Sequence, residues 1–306
     1  MGSSAYEEVE CTTIDGIAIR GWLFAVPGPA PAIVMSHGFN CVKEMTLPDV
    51  AEWFQRRGYN VLLYDARSVG ASGGVPRNQP DLLQMAEDVS DIVTFVSNLK
   101  CVDPQRILLW GMSFGGTVSG CAAAVDHRPR ALIMVCPLFS FVRPDRRRAT
   151  FARLIQDRVS QLGGNEPLSL PPFNSNGENL AGFGGAGGPG GLEAYNLMRA
   201  AAGRGHPGFR DRITFQTFYK LALARPRELL DMIDERMAVM VVVPELDDIS
   251  SPEEQRAAFE KLSTPRKRLH IARGKGHLSV VTGEGSEELL EAMDDFFREA
   301  LRDDAG

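Results

Sequence analysis

The sequence has no basic excess, no paired cysteines and no long apolar run, and each absence excludes a class of protein. Its 33 Lys and Arg residues face 39 Asp and Glu residues, a formal net charge of −6, whereas nucleic-acid-binding proteins usually carry a basic excess. The five cysteines form no CxxC pair, which favours buried thiols in a reducing compartment over a disulfide framework. The longest apolar run, 237–243, is far shorter than the roughly 18 residues of a membrane-spanning helix.

Motifs for targeting, metal binding and cofactor binding are also absent. The first residues, 1–6, contain neither the basic nor the apolar segment of a secretory signal, so we expect a cytoplasmic protein. The sequence contains no HExxH, no Cys/His ligand spacing and no Walker loop, so it implies no metal and no cofactor. Gly177 to Gly191 is glycine-rich, but it follows no strand pattern and lacks the GxxxxGK[ST] signature. It predicts a mobile surface loop and not a phosphate-binding loop.

Strand and helix patterns alternate along most of the chain. Continuous apolar runs, typical of strands buried on both faces, lie at 33–35, 61–64, 107–110, 131–135 and 239–243. Helical patterns lie at 47–57, 82–99, 114–125, 252–262 and 286–301. This alternation predicts an α/β fold, with a mostly parallel, doubly wound sheet between helices. Two earlier strand patterns meet at Asp15-Gly16, which predicts an antiparallel hairpin at the start of the sheet.

The alternation stops after Val135 and resumes near Ala238. The residues between contain helical patterns at 149–161, 193–202, 214–224 and 226–232. We therefore predict a core formed by 1–137 and 237–306, interrupted by an inserted helical cap at 138–236.

A candidate nucleophile follows the third buried strand. The segment 111–115 reads Gly-Met-Ser-Phe-Gly, directly after the strand pattern 107–110 and before a helix of small residues. That is the strand–turn–helix context of a nucleophile elbow, in which flanking glycines permit a strained turn. A second GxSxG match surrounds Ser72, but Pro76 and Pro80 follow where its helix would begin. The context therefore favours Ser113.

A serine hydroxyl needs a base, and the base needs an orienting acid. Of five histidines, His277 follows the strand pattern 268–272 and precedes the last helix, which places it at the carboxyl end of a strand. His270 lies inside that strand pattern, and His127 and His206 lie in polar turns. These three are better explained as packing or surface residues.

The acid is expected after the preceding strand, where the sequence offers Glu245, Asp247 and Asp248. Asp247 lies just beyond the strand end and is the first choice, with Asp248 as the alternative. The chain order Ser113, Asp247, His277 is the order of α/β-hydrolases and of no other serine-triad fold.

Two backbone N–H groups are needed to stabilise a tetrahedral oxyanion. Phe114 follows the nucleophile and supplies one of them. The other is assigned to Phe39, in the loop Ser-His-Gly-Phe-Asn at 36–40 that follows the first buried strand. His37 is an alternative base in this loop, but a loop-orienting role explains it better.

These motifs together resemble the α/β-hydrolase superfamily across nearly the whole chain. The strings at 63–67, 102–106, 110–114, 135–137, 243–247 and 274–277 resemble fungal secondary-metabolite hydrolases in particular. That group includes thiohydrolases that release polyketide chains, of the brefeldin type, and polyketide transferases that esterify an alcohol. The resemblance implies an α/β-hydrolase fold, aligns Asp247 with the acid of the Pro-Glu-Leu-Asp motif, and implies hydrolysis of a polyketide-like acyl thioester.

A second functional hypothesis is transfer of the acyl chain to an alcohol, and a third is a catalytically silent binding protein.

The expected partner is a small-molecule acyl substrate, with the acyl-carrier domain of a polyketide synthase as a further candidate. A basic cluster that could bind such a domain lies at 143–153, although a solvated helix face also explains it. The oligomeric state is left open, with a homodimer as one candidate. Six aromatic residues are candidates for the acyl pocket or for the core of the insertion: Phe139, Phe141, Tyr195, Phe215, Phe218 and Tyr219.

Overall fold

The computed structural model describes residues 6–182 and 188–302. Within them, an eight-stranded sheet has the spatial order β1-β2-β4-β3-β5-β6-β9-β10. Its strands are β1 (Glu7–Thr12), β2 (Ala18–Phe24), β3 (Ala30–Ser36), β4 (Asn60–Tyr64), β5 (Val102–Met112), β6 (Ala131–Val135), β9 (Ala238–Pro244) and β10 (Lys267–Ala272). The β1–β2 and β2–β4 pairs are antiparallel, and the other pairs are parallel. The predicted α/β fold and its opening hairpin are confirmed.

Helices cover both faces of this sheet. They are α1 (Pro48–Arg56), α2 (Leu82–Ser97), α3 (Phe114–Ala123), α7 (Pro252–Lys261) and α8 (Ser286–Arg302). Apolar residues of α1 and α8 pack with one set of alternating strand residues, and those of α2, α3 and α7 pack with the other set. Alternate strand residues point to opposite faces, so both faces are buried. Among the described residues, no helix combines the length and apolarity that crossing a membrane requires.

Two glycines allow α3 to pack closely against the sheet. A Cβ atom at Gly111 would lie within 2.6 Å of the backbone N of Gly116. A Cβ atom at Gly115 would collide with the backbone of Ser36 and His37. Because any side chain at these positions would push the helix away, the glycines fix the turn between β5 and α3 against the loop that follows β3.

The segment between β6 and β9 contributes no strand to the main sheet within the described residues. It contains α4 (Arg147–Leu162), β7 (Ser169–Leu170), α5 (Pro189–Arg204), β8 (Ile213–Thr214), α6 (Thr217–Leu223) and a 3-10 helix (Pro226–Met232). The strands β7 and β8 form their own antiparallel pair.

Two predictions for this segment were wrong in detail. The pattern at 214–224 predicts helix from Thr214, but Thr214 pairs with Ser169 in the small sheet, and α6 begins at Thr217. The glycine-rich tract was predicted to be loop throughout. Its last residues instead form the first turn of α5, with Pro189 at the first position, where the fixed φ of proline favours a helix start. Residues 183–187 of the tract lie outside the described residues.

Candidate active site

Ser113 occupies the sharp turn between β5 and α3. Its backbone has φ 58° and ψ −125°, a strained conformation for a residue with a side chain. The Ser113 N–H donates to Val135 O at 2.7 Å, which ties the turn to the end of the neighbouring strand β6. The turn therefore holds the Ser113 side chain beyond the carboxyl end of the sheet, as expected for a nucleophile elbow.

The structure brings the three predicted triad residues into one hydrogen-bonded chain. His277 Nε2 lies 2.7 Å from Ser113 Oγ, and His277 Nδ1 lies 2.9 and 3.0 Å from the two carboxylate oxygens of Asp247. A carboxylate only accepts hydrogen bonds, so Nδ1 carries the proton, and Nε2 of the neutral ring accepts from the serine hydroxyl. All three side chains are buried. The arrangement allows Ser113 to act as a nucleophile, His277 as a base and Asp247 as the orienting acid.

The neighbouring acids have other partners. Asp247 is further fixed by the N–H groups of Ile249 and Ser250 and by the Gln255 amide, at 2.8 to 3.0 Å. Asp248 is exposed, and its carboxylate accepts from the Gly190 N–H at 3.1 and 3.2 Å. Glu245 is also exposed and accepts from the Gly274 N–H. Of the three candidate acids, only Asp247 contacts His277.

The charge state of His277 depends on two opposing effects. Burial alone lowers the pKa of an imidazole. The Asp247 carboxylate, 2.9 Å from Nδ1, outweighs burial and raises the pKa of His277 above its ordinary value; the Cys136 sulfur lies 4.0 Å from Nε2. Burial also raises the pKa of Cys136 itself, so its thiol is neutral, and Asp247 is the charge that stabilises the imidazolium. That charge is the one needed when His277 takes the serine proton.

Cys136 is a residue of this site that the sequence analysis did not place there. Its thiol also donates to the His277 backbone O at 3.6 Å. The available signal was topological: Cys136 follows β6, which lies between β5 and β9, the strands that lead to Ser113 and Asp247. Because parallel strands end at the same edge, a residue at the end of β6 lies between the other two.

The competing candidates lie elsewhere or have other roles. Ser72 is buried in a loop, where its hydroxyl donates to Asp65 O at 2.6 Å and accepts from the Arg20 N–H at 2.8 Å. His37 is buried beside the elbow with Nδ1 3.1 Å from Gly38 O, and burial lowers its pKa. The remaining histidines do not contact Ser113: His270 lies in β10, His127 lies 3.6 Å from Asp234, and His206 lies in the turn after α5.

The loop after β3 lies against the nucleophile. A Cβ atom built on Gly38 would be 3.5 Å from Ser113 Cβ and 3.8 Å from Ser113 Oγ. The rings of Phe39 and Phe114 pack edge to face, with centroids 5.3 Å apart. This contact holds together the two residues assigned to the oxyanion hole, one of which, Phe114, directly follows Ser113. Their role as N–H donors remains a prediction from the sequence.

A small apolar cavity of about 40 Å³ adjoins Ser113 and His277. The insertion supplies part of its wall, through Leu138, Phe173, Ala194, Leu197 and Met198. The six aromatic residues that were candidates for the acyl pocket or for the core of the insertion are not part of this lining. Phe215 and Phe218 are buried in the core, and Tyr219 is exposed beneath Arg158. The space is about that of a single water molecule, so an acyl chain requires these insertion residues to move.

The donor atoms of Cys136, Asp247 and His277 lie within 4.8 Å of one another, a spacing compatible with a metal ion. However, the carboxylate faces Nδ1 of the ring, whereas the sulfur lies near Nε2. A metal ion bound to Nδ1 would break the hydrogen bond between His277 and Asp247, and one bound to Nε2 would break the hydrogen bond between His277 and Ser113. The geometry therefore suits acid–base chemistry better than metal binding.

Comparisons with known proteins agree with this geometry. The model of the family described as serine aminopeptidase, S33 matches residues 27–281. The polyketide transferase af380 of Aspergillus fumigatus is 40% identical over 96% of this chain and 98% of its own. The thiohydrolase of Eupenicillium brefeldianum is 41% identical over 95% of this chain and 94% of its own. A solved structure of DcsB in complex with its substrate analogue is 56% identical, with a TM-score of 0.92 over 96% of this chain and 99% of that chain. The resemblance expected from the motifs is confirmed.

Proposed function

The chain belongs to the serine aminopeptidase S33 family of α/β-hydrolases, and from that premise we propose that it cleaves acyl thioesters through an acyl-enzyme on Ser113. The observation that carries the proposal is the continuous hydrogen-bonded chain from Ser113 through His277 to Asp247. An intact chain of this kind argues against a catalytically silent binding protein, since such proteins usually lack one of these groups.

The proposed reaction has two half-reactions. Ser113 Oγ attacks the thioester carbonyl while His277 Nε2 takes the hydroxyl proton, and the N–H groups of Phe39 and Phe114 bind the oxyanion. The C–S bond then breaks, and His277 returns its proton to the departing thiolate. In the second half, water attacks the acyl-serine while His277 takes a proton from the water. The C–O bond to Ser113 then breaks, and His277 returns the proton to Ser113 Oγ. The products are the thiol and the free acid, and the enzyme is restored.

Two arguments favour a thioester with a long apolar acyl chain. A thiolate is a weaker base than an alkoxide or an amide anion, so its departure needs less help from a general acid. The wall of the Ser113 cavity is largely apolar, which suits a hydrocarbon-rich chain such as a polyketide. Relatives named thiohydrolase and polyketide transferase support this substrate class, and with it a role in secondary-metabolite biosynthesis.

Transfer of the acyl chain to an alcohol is the second candidate function. It differs only in the molecule that attacks the acyl-serine, and the name of the polyketide transferase relative favours it. Because the cavity beside Ser113 has a volume of only about 40 Å³, the choice between water and an alcohol depends on which acceptor the insertion admits.

Residues 138–236 are accordingly proposed to act as a cap. Ala194, Leu197 and Met198 of α5 line the cavity beside Ser113, and Asp248 holds the first turn of the same helix. A movement of α5 would therefore open the cavity to substrate. The five unpaired cysteines support a cytoplasmic location for the reaction.

The proposal is tested by offering one medium-length acyl chain as a thioester, an oxygen ester and an anilide, with and without added alcohols. We expect the thioester to be cleaved fastest, free acid to be the main product, and Ser113→Ala to lose at least about 10³-fold of turnover. Recovery of mostly the ester of the added alcohol would support the transferase function instead. Cleavage of the anilide without thioester turnover would reject both.

A further inference from the structure

The turn that carries Phe39 has Asn40 at its third position. The turn comprises residues 38–41 and is closed by a hydrogen bond from the Cys41 N–H to Gly38 O at 3.2 Å. Asn40 has φ 55°, a left-handed conformation that asparagine adopts more readily than most residues. The conformation of this turn directs the Phe39 N–H group, which is the second donor assigned to the oxyanion hole.

The Asn40 side chain connects this turn to the insertion at 138–236. Asn40 is only 3% exposed, and its Nδ2 donates to Arg210 O at 2.9 Å. The Met198 sulfur lies 3.7 Å from the same nitrogen, and Met198 also lines the Ser113 cavity. The oxyanion turn and the cavity wall supplied by the insertion therefore meet at one buried amide.

A second buried asparagine, Asn78, strengthens this connection. Its Nδ2 donates to Asn40 Oδ1 at 2.6 Å. Its backbone N–H donates to Ser68 O at 2.8 Å, and its backbone O accepts from the Thr214 N–H at 2.9 Å. Asn78 thus binds the side chain of Asn40 and the backbone of the insertion at the same time.

These contacts require the segment 208–214 of the insertion to be docked on the core. A Cβ atom at Gly208 would collide with Gly70 O, so the two backbones are in direct contact there. A buried amide that loses its partner costs more free energy than a made hydrogen bond contributes. If the segment moved away, Asn40 Nδ2 would lose Arg210 O, and the turn would lose the contact that fixes its third residue.

From these contacts we propose that Asn40 is a positioning residue that makes the oxyanion hole depend on the docked position of the insertion. Gly38 lies against Ser113 at one end of the turn, and Asn40 binds the insertion at the other. The Phe39 N–H between them is then aligned for the oxyanion only while the insertion is docked. The inference rests on the proposed acyl transfer, because that reaction is what needs an oxyanion hole.

The test variant is Asn40→Gly, because glycine tolerates the positive φ and only the side-chain contacts are lost. The matched control is Asn60→Gly. It removes another buried amide, which donates to Cys101 O at 2.7 Å. Asn60 begins β4, so it lies at the end of the sheet opposite Ser113.

A second variant, Asn78→Gly, keeps the positive φ of that residue and leaves Asn40 bound to Arg210. It should change the oxyanion hole in the same direction as Asn40→Gly but less. It also tests the proposal if Asn40→Gly does not fold.

Two ketones that carry the same acyl chain provide the measurement. When Ser113 Oγ adds to the carbonyl carbon of a trifluoromethyl ketone, His277 takes the serine proton and the carbonyl oxygen becomes an oxyanion, so the affinity reports on the oxyanion hole. The matching methyl ketone reports on binding of the chain alone.

We expect Asn40→Gly to raise the Ki of the trifluoromethyl ketone about tenfold, and to leave the Ki of the methyl ketone within about twofold. Asn60→Gly should keep the ratio of the two Ki values. An unchanged ratio in Asn40→Gly, or an equal change of the ratio in Asn60→Gly, would overturn the proposal.

Amide exchange tests the connection from the opposite direction, because coupling between two sites is reciprocal. The trifluoromethyl ketone should slow exchange of the Thr214 N–H in the unchanged protein, and should slow it less in Asn40→Gly. Equal slowing in both proteins would show that the insertion responds to the ligand without Asn40, and would contradict the proposal.

The ketone measurements need no thioester, so they separate this proposal from the proposed function. If Asn40→Gly changes the Ki ratio as expected but no thioester is cleaved, the role of Asn40 stands and the thioester function fails. If thioesters are cleaved and the Ki ratio is unchanged in Asn40→Gly, the function stands and the role of Asn40 fails.

Discussion

Replacement of Asp247 by Asn is the sharpest test of the His277 assignment. Asp247 Oδ1 accepts from two backbone N–H groups, those of Ile249 and Ser250, at 3.0 and 2.8 Å. In Asp247→Asn the amide oxygen must take this position, because an NH₂ group there would face two donors. The NH₂ group then replaces Oδ2, which faces His277 Nδ1 at 2.9 Å and Gln255 Nε2 at 3.0 Å. His277 is forced into the tautomer with its proton on Nε2, and it can no longer accept the proton of Ser113.

The expected loss is about 10⁴-fold in kcat, equivalent to about 5.5 kcal/mol of barrier. The donor–donor contact with Gln255 adds about 1–3 kcal/mol of lost stability, which thermal unfolding detects independently. The assay measures thioester turnover by Asp247→Asn and by the control variant Asp248→Asn. The control keeps an acceptor for the Gly190 N–H, so its activity should stay within about fivefold of the unmodified protein. If Asp248→Asn loses turnover and Asp247→Asn largely keeps it, the acid has been misassigned by one residue.

Three further outcomes are expected. A fluorophosphonate should label Ser113. Ser113→Ala should not be labelled, and its turnover should fall by at least about 10³-fold. Labelling that persists in Ser113→Ala but disappears in Ser72→Ala would contradict the elbow assignment. Because His277 must be neutral to accept a proton and its pKa is raised, kcat/KM should rise with pH through a midpoint above about 6.5; a midpoint below that value would oppose the predicted shift. Amide exchange in α5 should slow when an acyl ligand binds, as a cap requires; unchanged exchange would argue against it.

The parts of the site that depend on local sequence were predictable. Gly111, Ser113 and Gly115 follow a strand and begin a helix, and the geometry of that turn depends on the residues within it. Asp247 and His277 each follow a strand whose position in the sheet was implied by alternation of strands and helices. Their contact follows because the carboxyl ends of parallel strands meet at one edge.

The cavity wall could not be predicted, because it depends on where the insertion packs. Phe173, Ala194 and Met198 carry no local signal for substrate binding, and only tertiary packing brings them to Ser113. The same applies to Asp248: its sequence position resembles that of Asp247, and only the contact with Gly190 reveals its separate role. The early start of α5 at Pro189 was obscured by glycines, which usually disfavour a helix.

The most direct measurement of the central claim is the intact mass of the protein at short times after mixing with an acyl thioester. An acyl-enzyme predicts a mass increase equal to the acyl group, located by peptide mapping on Ser113, that decays as free acid or an alcohol ester accumulates. Ser113→Ala should show no such adduct, and Asp247→Asn should form it far more slowly. An adduct on another residue, or rapid thioester cleavage by Ser113→Ala, would contradict the account.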